Sequence, residues 1–204
     1  LVMNRASQEI MLRLLDVYPH YFIAFDPLKN QTKDHGLFSG GKPDLPLMKA
    51  EDDYQFDIPG FVTVKASFVD WPLSVIRLRT TSKKNLINSI EYLTLRWQQY
   101  SYPSLNILAN DKNGQNQHSV VLSFRQVEAE YIAELILVDS SSAFSRTVEY
   151  ENILFDKQTI VDQLGVINVN SDLVINERLT EIIKNNFEKQ QIFQKTPEGE
   201  TARI

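Results

Sequence analysis

One stretch constrains this chain more than any other. From Ser82 onward, Leu86, Ile90, Leu93 and Trp97 recur at spacings of four, three and four, which sets them on one stripe of a helix. On both sides the pattern changes to short apolar or alternating runs suited to strands: Tyr21–Phe25, Leu47–Ala50, Tyr54–Ile58, Val62–Phe68, Pro72–Leu78, Leu105–Leu108, Ser119–Phe124 and Tyr131–Val138. Pro59-Gly60, Asp111-Lys112-Asn113-Gly114 and Glu128-Ala129-Glu130 read as turns between them. A helix with one apolar stripe must lay it against something, and strands joined by hairpin-like turns supply a sheet. The expected fold class is therefore α+β, an antiparallel sheet with helices on one face.

Two further helices are expected. Ser7 can cap the first, whose buried face reads as Ile10, Leu14 and Val17 with Leu15 beside them, and Pro19 stops it. The second begins near Asn176 and would bury Leu179, Ile182, Ile183 and Phe187. With 204 residues and 43% hydrophobic content, the chain can enclose a core without a disulfide or metal staple. Residues 1–189 read as one domain, followed by a flexible tail over 190–204.

Several function classes lose ground at this level. Cysteine is absent, which excludes thiolate zinc sites, cysteine nucleophiles and disulfides and favours a cytoplasmic setting. A net charge of −5 with scattered Lys and Arg argues against a nucleic-acid partner. No apolar run approaches the ~20 residues of a membrane span. The start, Leu1-Val2-Met3-Asn4-Arg5, lacks the apolar stretch of a signal peptide and reads as the start of a fragment.

Only three histidines are available for chemistry. His35 lies among Gly36, Gly40 and Gly41. It is either a phosphate- or base-contacting residue in a glycine-rich loop, or a loop histidine beside glycines placed for turn geometry. His20 reads as structural, and His118 opens an apolar strand. No two histidines have a metal-ligand spacing, so no metal is expected, and no cofactor fingerprint is present. The carboxylate runs Glu51-Asp52-Asp53 and Glu149–Glu151 read as solvated edges. Arg77 and Arg79 alternate on one strand and so share a face, either holding a phosphate or forming a basic edge.

Several motifs, in order, resemble a known family. Pro19-His20-Tyr21-Phe22-Ile23 is similar to P-H-Y-F-I-G, and Asp34 to Gly41 to H-[D/E]-H-F-Q-G-G. Met48-Lys49-Ala50 resembles M-x-K-A, Gly60 to Ala66 resembles G-F-E-D-V-K-A, and Trp71 to Leu78 resembles W-P-M-S-V-I-R-L. Gln117-His118-Ser119 is similar to the family's P-H-N-T. These belong to the C-terminal part of type 2 galactose-1-phosphate (hexose-1-phosphate) uridylyltransferases. The resemblance covers roughly Tyr18 to Ser142 and implies a histidine-triad-like fold, a UDP-sugar or sugar phosphate as ligand, and a missing N-terminal half or a second copy as protein partner.

The resemblance also implies a departure. In the family the second histidine takes UMP covalently. Aligned on Phe38, Gly40 and Gly41, His35 falls on the first histidine, Leu37 on the nucleophile and Ser39 on the phosphate-contacting Gln. Leucine has no lone pair with which to attack. Three readings follow: a uridylyltransferase-like domain that binds a sugar nucleotide without transferring it, an active nucleotidyltransferase or phosphorylase using His35, or a structural or assembly domain. The site expected from the resemblance comprises His35, Ser39, Gly40, Gly41, Arg77, Arg79 and His118.

Overall fold

The computed structural model describes residues 4–25, 38–71, 73–105, 107–139 and 164. Helix α1 (Arg5–Val17) is followed by β1 (Phe22–Phe25), β2 (Phe38–Gly41), the single-turn helix α2 (Pro46–Lys49) and β3 (Asp52–Phe56). Then come β4 (Lys65–Val69), β5 (Val75–Thr80), α3 (Lys83–Gln99), β6 (His118–Val127) and β7 (Glu130–Asp139). The seven strands form one sheet in the order β2-β1-β6-β7-β5-β4-β3, with every neighbouring pair antiparallel. The α+β class read from the sequence is the fold observed.

Helix α3 starts where its cap requires: the Ser82 hydroxyl accepts from the Asn85 amide at 3.2 Å. Leu86 and Ile90 are buried, and Leu93 and Trp97 pack against the same core. That core joins α1 and α3 to one face of the sheet through Ile23, Phe25, Ile76, Leu78, Leu122, Phe124, Ala133 and Leu135. Successive strand residues point to opposite faces. The other face accordingly carries Phe22, Ala24, Val75, Val121 and Ile136, packed against Leu47 and Met48 of α2 and against Leu164.

Four local expectations are corrected. Leu47–Ala50 is not a strand but lies largely in α2, because Pro46 occupies its first turn with a pre-set φ and Leu47 and Met48 are buried side by side. Leu105–Leu108 gives way to a 3₁₀ turn, Pro103–Leu105, and an isolated bridge between Tyr102 and Ile107. Asn4, not Ser7, caps α1, its side chain accepting from the Ser7 amide at 3.0 Å. Helix α1 also turns the other way about its axis. Leu15 is buried as expected, but with Met11 and Leu12 beside it, whereas Ile10, Leu14 and Val17 are exposed. Two apolar stripes share this helix, and the sheet takes the one that leaves Asp16 beside Lys83 and Tyr131.

The expected helix after Asn176, the tail 190–204, and His35 and Leu37 lie outside the described residues.

Candidate functional site on the α2 face of the sheet

Strand β2 lies at one edge of the sheet, and its register sets what each residue faces. Ser39 pairs with Ala24 and Gly41 with Phe22, so both stand on the α2 face, while the Phe38 ring meets Phe25 on the other at 5.4 Å. Small residues are needed here for a local reason. A Cβ on Gly40 would lie 3.0 Å from the Phe22 carbonyl oxygen, and one on Gly41 would lie 3.3 Å from the Phe22 ring. The glycines let β2 close tightly on β1, leaving main chain rather than side chain at this end of the face.

Arg77 and Arg79 do share a face, the same one, but their guanidinium groups are occupied. Arg77 is almost fully buried. Its Nε donates to Glu134 Oε1 at 3.2 Å, and one terminal nitrogen donates to the Ala50 carbonyl at 2.8 Å and to Asp52 at 3.1 Å. The other donates to the Leu47 carbonyl at 2.7 Å. Arg79 grips Asp52 with both terminal nitrogens, at 2.6 and 3.0 Å. Burial pushes the Asp52 carboxyl up, but the hydrogen bond and charge of Arg79, with the charge of Arg77, outweigh it and hold the group below its ordinary value.

The network continues across the sheet. Glu134 is fully buried and also accepts from Arg125, from Nε at 3.1 Å and from a terminal nitrogen at 3.0 Å, and from the Ser123 hydroxyl at 2.9 Å. Buried charges persist when paired and hydrogen-bonded in this way. Three guanidinium groups thus meet two carboxylates, so this cluster of five groups carries one positive charge in excess.

His118 belongs elsewhere. It lies on the α3 side of β6, its ring stacked on Trp97 with centroids 4.0 Å apart. Its Nδ1 donates to the Trp97 carbonyl at 2.8 Å. His20 sits exposed in the turn after α1.

The residues expected to form one site are therefore spread out. Ser39 and Gly41 share the α2 face with Arg77 and Arg79, and His118 is on the opposite face. Ser39, Ala24, Ser123, Glu134 and Arg77 form one transverse row. Four strand spacings put Ser39 about 19 Å from Arg77. Of Arg77, Arg79 and Arg125, the last stands nearest the glycines, two strands from Gly41 through Phe22, or about 10 Å. Asp52, expected on a solvated edge, is instead drawn into the ion-pair network by Arg77 and Arg79. Arg125 and Glu134 do not figure in the sequence reading. A signal existed: a two-residue turn at Glu128-Ala129 puts Ser123 opposite Glu134, and Arg125 follows on the same face. Among the described residues no group of His, Cys, Asp or Glu is arranged to hold a metal, and no helix is long and apolar enough to cross a membrane.

Comparison with known proteins adds a direction. The chain is 28% identical over 186 residues to a galactose-1-phosphate uridylyltransferase of Staphylococcus saprophyticus, covering 87% of this chain and 37% of that protein. It is 28% identical over 193 residues to galactose-1-phosphate uridylyltransferase 2 of Streptococcus pneumoniae, covering 90% and 38%. It is 27% identical over 188 residues to the enzyme so named in Lacticaseibacillus casei, covering 88% and 38%. The chain resembles part of a uridylyltransferase. It spans less than two-fifths of these relatives' length, while nearly all of its own is matched. No protein-family model and no solved structure matches it.

Proposed function

We propose that this chain is a uridylyltransferase-like domain of galactose and nucleotide-sugar metabolism that binds a UDP-sugar or sugar phosphate on the α2 face and does not itself form a uridylyl-histidine. The observation that carries the reading is similarity over 87–90% of the chain to proteins named for that reaction. Leu37 at the position of the attacking histidine argues against the covalent step, since a hydrocarbon side chain cannot be a nucleophile. Binding has a separate basis. The open main chain of Ser39–Gly41 and the positive excess around Arg125 and Arg77 suit an anion, and neither depends on a nucleophile. His118, buried against Trp97, enters this reading as a structural support rather than a ligand contact. The histidine-triad-like assignment, the domain over residues 1–189 and a protein partner supplying the rest of the enzyme belong to the same proposal.

Two measurements test it. Calorimetric titration with UDP-glucose should give a micromolar to millimolar dissociation constant, on the order of −4 to −8 kcal/mol. Absence of heat at millimolar ligand would favour a purely structural domain. Intact-mass spectrometry after incubation with UDP-glucose should show no added UMP, and an adduct abolished by His35→Ala would show that His35 is a nucleophile.

A further inference from the structure

Helix α2 is one turn long: the Ala50 amide closes on the Pro46 and Leu47 carbonyls, at 3.1 and 3.2 Å, and no second turn follows to hold the segment in place. The sheet adds partners of its own. Arg77 donates to the Leu47 carbonyl at 2.7 Å and the Ala50 carbonyl at 2.8 Å, and Arg125 reaches the Met48 carbonyl at 3.4 Å. Both guanidinium groups are held from behind by the same atom, Glu134 Oε1, and the other oxygen of that carboxylate is anchored by Ser123. A single buried carboxylate thus aims two cations at three carbonyls of one short main-chain segment, those of Leu47, Met48 and Ala50. Below that segment Leu47 and Met48 cover Phe22 and Ala24, the two residues paired with Gly41 and Ser39. Only four residues, 42–45, separate β2 from α2.

We propose that Glu134, acting through Arg77 and Arg125, is the positioning residue for ligand binding at β2. It seats α2 on the sheet and thereby fixes both the floor at Phe22 and the path of the chain leaving Ser39–Gly41. The proposal rests on the reading that this face binds a UDP-sugar. It assigns the arginines a different task from direct phosphate contact: they spend their hydrogen bonds on main-chain carbonyls and a carboxylate, and the geometry they impose is what the ligand meets.

The test uses the full chain carrying Trp97→Phe, which leaves Trp71, packed in the α2 cluster, as its one tryptophan. UDP-glucose is titrated into this protein and into its Glu134→Gln and Arg125→Lys forms. Leu93→Ala, in the core on the other face, serves as a destabilised control. Both α2-face variants should bind roughly tenfold more weakly, as loss of a charge-assisted contact implies, and should shift the Trp71 emission. Leu93→Ala should lower the melting temperature and leave affinity and emission unchanged. Parental affinity and emission in folded Glu134→Gln overturn the proposal; if that variant does not fold, Arg125→Lys, at the rim of the cluster, decides in the same way. If the parent binds no UDP-glucose, the binding reading falls on its own. Hydrogen exchange at the amides of residues 47–50 then decides the positioning role: faster exchange in the α2-face variants supports it, and parental exchange overturns it.

Discussion

The His118 ring lies flat on the indole of Trp97, with planes within 9° of parallel and centroids 4.0 Å apart. The pair is tied by more than stacking. His118 donates to the Trp97 carbonyl, and the indole N–H is shared between the carbonyls of Ser119 and Val138, at 3.1 and 3.3 Å. The last turn of α3 therefore closes over the ends of β6 and β7. Trp97→Ala removes both rings' contact and the N–H, and should cost about 3 kcal/mol by urea denaturation. Trp97→Phe keeps a stacking surface and loses the hydrogen bonds, about 1 kcal/mol. Equal costs for the two would mean that the indole N–H, not the stack, holds the helix end.

Helix α1 offers a direct contrast between neighbours. Met11 is fully buried and Leu14 is 40% exposed, although the sequence periodicity favours Leu14 as a core residue. Met11→Ala should destabilise by ~2–5 kcal/mol, and Leu14→Ala by less than about 1. Thermal unfolding of the two variants checks the helix orientation; a larger loss from Leu14→Ala would rotate α1 back to the face first expected.

Gly40→Ala should be costly even though Gly40 lies in an edge strand. The added methyl would sit 3.0 Å from a backbone oxygen of β1, and a backbone atom cannot swing aside as a side chain can. Overpacking of this kind costs ~1–3 kcal/mol. A variant as stable as the parent would show that β2 can move away from β1.

Acid should weaken the fold through Asp52. Its folded carboxyl is held below the ordinary range, so the unfolded chain binds its proton first as pH falls. The stabilisation is present above the unfolded value of about 3.9 and is lost as pH drops through the lower folded value. Asp16, lowered by its hydrogen bond from Lys83, adds in the same direction. Urea midpoints between pH 2 and 5 should rise with pH in the parent and rise less steeply in Asp52→Asn. Identical slopes would mean that the Arg79 grip on Asp52 contributes nothing to folding.

Much of the architecture is legible in the residues. The stripe on α3 and the strands β6 and β7 follow from their patterns, because a long element repeats its pattern often enough to be recognised. Short elements do not. Four residues such as Leu47–Ala50 cannot distinguish one helical turn from one strand, and what decides it is Pro46 together with arginines waiting on the sheet for the helix carbonyls. The site was legible only as residue types. Arg77 and Arg79 were rightly placed on one face, but nothing local reveals that Asp52 and Glu134 would meet them from strands 25 and 57 positions away.

Sequence by itself determined the α+β class, the α3 stripe and the likeness to uridylyltransferases, since each is carried by residues read in order along the chain. Tertiary structure alone decided which stripe of α1 is buried, that Arg77 is spent on α2, and that His118 and Arg77 stand on opposite faces. The physical reason is that burial and ion pairing are set by neighbours across strands. A one-residue change of parity sends a side chain through the sheet, so two residues of matching chemistry can end up on opposite faces with the sheet between them.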